Sequence, residues 1–338
     1  KYYENAFDFI SGSFPYDGSS LEITKFYNDL NPLEQYIYNE EYPKSTGYVT
    51  VGTAYGTSVS NSSGYYSCSA EYIETLGGPH KNTIYSTADD RISNLAFGGP
   101  SGSTVEFFLQ KDWTVSRPTS SRETILDVWN GNVSSSISYG RFTISLDSVL
   151  QDRFFVTMQS GTDGFYELPV PTTGGLNLGD NKWGQYSFAF GTSGSTSTVD
   201  FYQSGSCVGP QIIYQSGVGL VTGTRHAPSG TMDSSDANML GWGKLSGSLD
   251  EFRFWKSLKT SQDIGVNWFS RVYGGSDKYD ANVDLGVYYR FNEGLTGNSN
   301  IDKITLDYSG RISNGIYRGY TAACRTTASA LDEMQVPS

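Results

Sequence analysis

A strand, a turn and the start of a helix follow one another in residues 249–264, Leu-Asp-Glu-Phe-Arg-Phe-Trp-Lys-Ser-Leu-Lys-Thr-Ser-Gln-Asp-Ile. In the strand, Phe252 and Phe254 share one face, and Glu251, Arg253 and Trp255 share the other, the period of two of a pleated sheet. One face is therefore core, and the other carries a Glu/Arg pair. That pair is expected to be exposed, with Trp255 filling a small cluster beside the main core. Thr260 stands three residues before Asp263, an acidic form of the capping box, and Ile264, Trp268 and Val272 follow at helical spacing. The helix should lay one aromatic and aliphatic stripe back on the sheet.

A chain that must supply such a sheet has to be rich in turns, and this one is. It holds 39 Gly and 25 Tyr in 338 residues, with 17% charged residues and 14% aromatic ones. Short strands joined by tight turns fit that balance, and no segment sustains helical periodicity beyond about four turns. The formal net charge of −12 and a pI near 4.6 argue against nucleic acid as a partner, because phosphate neutralisation needs clustered Lys and Arg. No run of apolar residues is long enough to insert in a membrane. The first residue is Lys1, without a leader, so the chain reads as a piece or processed form of a longer protein. Cys68, Cys207 and Cys324 lie far apart and form no CxxC pair. They read as buried small hydrophobes, with one long-range disulfide left open.

Three regions follow along the chain. Residues 1–64 read as a docking arm. Ser19 with Glu22, and Asn31-Pro32 with Glu34, start short helices over about 20–29 and 32–41. Rings such as Tyr2, Phe7, Phe14, Tyr36 and Tyr42 crowd a segment too short to bury them alone. Residues 65–272 read as a sandwich, with strands at 104–110, 124–129, 141–146, 154–158, 184–190 and 199–202 before residue 249. Residues 273–338 read as further strands and a linker, leading onward to another domain or opening a second, incomplete unit.

The sequence Asp250-Glu251-x-Arg253-x-Trp255 followed by Thr260 and Ile264 resembles the late segment of laminin G-like domains. That resemblance implies a mainly β fold, a concanavalin A-like jelly-roll sandwich, here preceded by a short helical N-terminal arm. It also implies that the motif marks the fold and is not the binding surface. Trp183-Gly184-Gln185-Tyr186-Ser187 is similar to another strand of the family, with Gly184 where His is usual. Asp127-x-Trp129-Asn130-Gly131, Tyr139-Gly140-Arg141, Leu285-Gly286-Val287-Tyr288-Tyr289-Arg290-Phe291-Asn292-Glu293-Gly294 and Leu306-Asp307-Tyr308-Ser309-Gly310 resemble virion structural proteins of tailed bacteriophages, in particular those of marine cyanobacteria. The resemblance implies a non-enzymatic structural or adhesion module on a virion, or else on a secreted or cell-surface protein. Its partners would be other virion proteins through the arm, in an oligomeric assembly, and a host-surface or extracellular glycan. A pure assembly or decoration protein without ligand is the first alternative, and a glycan-cleaving enzyme of the same fold is the second.

The same fold carries glucanases, whose active strand reads Glu-x-Asp-x-Glu and whose carboxylates lie about 5–5.5 Å apart. This chain contains no Glu-x-Asp, and Glu71 and Glu74 would fall on opposite faces of a strand. His80 and His226 lie in loop sequences without a nucleophile elbow. A glycan needs an exposed aromatic face beside amide or carboxylate groups. Trp242, between two glycines, is the first candidate, with Asn238 beside it, and Trp113 is the second; Trp129, Trp183, Trp255 and Trp268 belong to the core. Calcium is the candidate cofactor, on Asp233 and Asp236, whose alternative role is to form Asx turns.

Overall fold

A computed structural model describes residues 48–51, 72–75, 95–97, 102–113, 122–129, 137, 139–147, 149–161, 163–193, 196–209, 212–214, 221–222, 243–245, 247–270, 272, 284–309, 314–318, 320, 322–326 and 330. Their strands are, in chain order, β1 (Tyr48–Val51), β2 (Tyr72–Thr75), β3 (Ala96–Phe97), β4 (Ser103–Asp112), β5 (Arg122–Trp129), β6 (Gly140–Asp147) and β7 (Phe154–Ser160). β8 (Asp163–Val170), β9 (Asp180–Ser193), β10 (Thr196–Gln203), β11 (Ser206–Cys207), β12 (Ile212–Tyr214) and β13 (Val221–Thr222) follow. The chain continues with β14 (Gly243–Lys244), β15 (Gly247–Trp255), helix α1 (Ser261–Asn267), β16 (Leu285–Tyr289), helix α2 (Ser299–Asp302), β17 (Ile304–Thr305), β18 (Gly315–Arg318) and β19 (Arg325–Thr326).

The protein is a mainly β jelly-roll sandwich. Its larger sheet runs β11-β10-β9-β4-β15-β1-β19, with β12 on β10 and β16 on β15. The smaller sheet runs β14-β5-β6-β7-β8. After β4 the chain crosses to the smaller sheet for an antiparallel meander, returns beside β4 as β9, and later flanks its other side as β15. Every expected strand between 104 and 202 is present. β8 was not anticipated, because Gly164 and Pro169 mask its alternation; proline is tolerated there since β8 is the last strand of its sheet.

Alternation decides the core. Val105, Phe107 and Leu109 of β4, Tyr186, Phe188 and Phe190 of β9, and Leu249, Phe252 and Phe254 of β15 meet Phe142, Ile144 and Leu146 of β6 and Phe154, Val156 and Met158 of β7. Phe154 lies at the centre, with ring centroids 4.9 Å from Tyr186, 5.3 Å from Phe188 and 5.7 Å from Phe201. Burying each such ring contributes about 1.5–3 kcal/mol. A Cβ at Gly184 would overlap the Tyr186 hydroxyl, so the glycine makes room for a core tyrosine.

Strands from both sides of residues 65–272 enter the larger sheet. β1, from within 1–64, pairs with β15 through Val49 and Leu249, and β19 pairs with β1. β16 pairs with the other half of the same edge of β15, as Phe252 does with Tyr289. Asp307 fastens the following turn to that strand: its Oδ1 accepts from the N–H of Tyr288 at 2.9 Å and of Ser309 at 2.9 Å. The motif residues 285–309 are therefore part of the sandwich's closing strand and its support. The two helices expected before residue 42 lie outside the described residues.

Candidate functional site

The motif strand β15 carries a buried polar network on the outer face of the larger sheet. A bulge sets the three-residue step from Asp250 to Arg253 against the two-residue step from Phe108 to Glu106 on β4, and Glu251 takes φ +49° there. Asp250 and Glu251 consequently both face outward. Arg253 Nη2 donates to Glu251 Oε2 at 2.9 Å and to the Ser270 carbonyl at 2.6 Å, Tyr288 donates its hydroxyl hydrogen to Glu251, and Trp255 Nε1 donates to Glu106 at 2.7 Å. The expected exposure of the Glu251/Arg253 pair is thus corrected: both side chains are buried, because residues 268–270, Val272 and Ala330 lie over this face. Burial pushes the Glu251 carboxyl up, but Arg253 and Arg290 beside it outweigh that and hold it below its ordinary value.

Helix α1 begins at the predicted capping box. Asp263 N–H donates to Thr260 Oγ1 at 3.1 Å, and Thr260 N–H donates to Asp263 Oδ2 at 3.2 Å. The helix ends at Asn267, so the single stripe divides into separate contacts. Ile264 packs with Ala189 and Tyr202, Trp268 with Phe108, Trp183 and Ala330, and Val272 with Trp255, Leu285 and Tyr288. Trp183, Trp255 and Trp268 are buried as expected, though on the outer face and not between the sheets. The side chain of Trp129 is outside the described residues.

One end of the sandwich gathers the groups suited to contact. β4 ends at Asp112 opposite Asp180, which opens β9. Trp113 follows, half-buried, with Lys111 Nζ 4.6 Å above its ring and Gly179 against its edge. Gly179 has φ +88°, and a Cβ there would overlap Trp113 Cδ1. Lys111 pairs with Glu123 of β5 at 2.8 Å, both buried, closing this end of the core. Arg122 of β5 opposes Asp147 of β6, whose Oδ1 accepts from the N–H groups of Val149 and Leu150 at 2.7 and 2.8 Å. Val149 is 80% exposed and Leu150 46%.

The ring continues through Asp152 and Arg153. Gly175 N–H donates to Asp152 Oδ2 at 3.2 Å, and Arg153 Nη1 donates to the Thr172 carbonyl at 3.1 Å. Asn177 Nδ2 then donates to Asp180 Oδ2 at 3.1 Å, which brings the path back to β9. β14 lies parallel to β5 at Glu123 and Thr124, so Gly243 belongs to this same rim.

Of the residues chosen from sequence, Trp113 sits on this rim. Trp242, Asn238, Asp233 and Asp236 lie outside the described residues, as do His80, His226 and Cys68. Cys207, expected to be buried, is exposed, and Cys324 is buried; both are free thiols. Sequence reasoning missed Asp152, Arg153, Asn177 and Asp180. The Gly/Asn/Asp-rich run 172–180, Thr-Thr-Gly-Gly-Leu-Asn-Leu-Gly-Asp, was the available signal for a built loop.

Buried carboxylates elsewhere are committed to structure. Asp127 takes both Nε and Nη2 of Arg141, at 2.9 and 2.6 Å, and Glu293 holds Arg325 at 2.6 Å. Asp302 accepts from the Thr296 N–H and hydroxyl and from the Gly297 N–H. Groups held this way fix loops and are poorly placed for proton transfer.

No family model matches the chain, and no curated protein matches it in sequence. Among solved structures it is similar to a Bacteroides ovatus ATCC 8483 protein described as carbohydrate-binding, with 13% identity and a TM-score of 0.42, over 81% of this chain and 58% of that one. A heptameric SAP-like pentraxin from Limulus polyphemus aligns at 10% identity and TM-score 0.40, over 69% and 87% of the two chains. The sialidase module CBM40 of Ruminococcus gnavus aligns at 8% and 0.35, over 50% and 83%. At these scores, what those proteins bind says nothing about this one.

Proposed function

We propose that this protein is a non-enzymatic binding module of a virion, using the rim around Trp113, Asp152 and Asp180 to contact glycan. The observation that carries the reading is the place of Trp113, one of the two aromatics chosen from sequence, on this rim against Gly179, in the loop that carries Asn177 and Asp180. A rim of this kind offers an aromatic edge, exposed amide and carboxylate groups at Asn177 and Asp180, and a firm scaffold behind them. The virion setting comes from the motif resemblances in 127–141 and 285–310, and the aromatic-rich arm within residues 1–64 is the proposed assembly element. Calcium at Asp233 and Asp236 belongs to the same proposal.

The exposed pair Val149 and Leu150 favours a second reading, in which the rim meets a neighbouring protein subunit and takes no glycan. A glycan array on the full chain, with and without calcium and beside Trp242→Ala, separates the two. Binding lost in the variant supports glycan contact, and dependence on added calcium supports the metal. An array silent under both conditions moves the assignment to subunit assembly.

A further inference from the structure

The charges of the rim narrow the ligand class, an inference that rests on the glycan reading above. Each cation whose side chain is described there already faces a carboxylate: Lys111 faces Glu123 at 2.8 Å, Arg153 faces Asp152 at 2.8 Å, and Lys182 faces Asp180 at 3.7 Å. At the neighbouring strand ends, residue 122 of β5 lies opposite Asp147 of β6.

Arg153 is the group most like an anion receptor. Its planar fork is partly exposed, and such forks take sugar carboxylates and sulfates through two parallel hydrogen bonds. Here the fork is filled from within. Nε donates to Asp152 Oδ1 at 2.8 Å and Nη2 donates to Asp152 Oδ2 at 3.1 Å. The filling group is itself fixed, by the Gly175 N–H on its carboxylate and by the Leu176 N–H on its backbone carbonyl at 3.0 Å. Beyond the rim, the net charge of −12 opposes the approach of polyanions at low salt.

We infer that the rim takes uncharged glycans, and that Asp152 is the specificity-determining residue that keeps anionic ones out. Asp152 does so by occupying the guanidinium that a sialylated or sulfated glycan would need. A neutral sugar asks only for hydroxyl partners, which Asn177 and Asp180 supply, and for apolar contact with its C–H faces.

The test is binding of neutral glycans and of their sialylated and sulfated counterparts to the full chain, in the wild type and in Asp152→Asn, at low and physiological salt. Asn keeps an oxygen for Gly175 but removes the charge. Neutral glycans should bind the wild type, and Asp152→Asn should raise binding of the anionic ones about tenfold, more at low salt. A wild type that prefers anionic glycans, or a variant that leaves their binding unchanged, overturns the inference while the glycan reading stands. Failure of every glycan to bind overturns the glycan reading itself.

Discussion

Glu251 shows how much one residue can be asked to hold. It sits in left-handed backbone at a bulge, faces outward next to Asp250, and compensates Arg253 in a buried network. Replacing it with Gln leaves the guanidinium under-compensated, and removing one partner of a buried pair costs about 3–5 kcal/mol. Denaturant unfolding of Glu251→Gln should show that loss as a lower midpoint. Because the folded carboxyl is held below its ordinary value of 4.5, its contribution is fully present above that pH. It disappears as pH falls through the lower, folded value. Acid unfolding of the wild type should therefore steepen below about 4.5 and flatten in the Gln variant; equal slopes would show that Glu251 is not the group responsible. Gly179 is the second such position. Gly179→Ala should cost about 1–3 kcal/mol, through strain at positive φ and displacement of Trp113, with a shift in tryptophan emission. An unchanged spectrum would mean that Trp113 does not depend on this glycine.

At the level of elements, the sequence was most readable where local chemistry acts alone. Thr260 and Asp263 announced their helix, and the β-branched and aromatic runs announced their strands, because capping and alternation need only near neighbours. Thr260→Ala should lower stability by about 1 kcal/mol, seen as a drop in Tm of a few degrees at most. A larger drop would mean that α1 supports Trp268 more than its cap suggests. Less readable were features set by distant partners. The bulge at Glu251 depends on register against β4, and β8 is hidden by Pro169. The burial of Glu251 and Arg253 depends on residues 268–270 and 272, which no period-of-two pattern near Glu251 could reveal.

For the whole molecule, the sandwich draws on more chain than the alternating region alone. β15 has β4 on one side and both β1 and β16 on the other, so residues 65–272 lack two of its three partners. A 65–272 fragment should fail to unfold cooperatively, while the full chain should show one sharp transition; a cooperative fragment would make β1 and β16 dispensable. The rim was only partly legible. Trp113 stood out as an aromatic beside Lys111 and Asp112. Asp152, Arg153, Asn177 and Asp180 are brought together by turns that look ordinary in sequence. The central claim is that this rim is the contact surface, and hydrogen–deuterium exchange of the full chain tests it directly, with and without the tightest-binding glycan from the array. The account predicts slowed exchange at residues 147–153, 172–182 and 243–245. Protection confined to the opposite end of the sandwich, or to the outer face around α1, would contradict it.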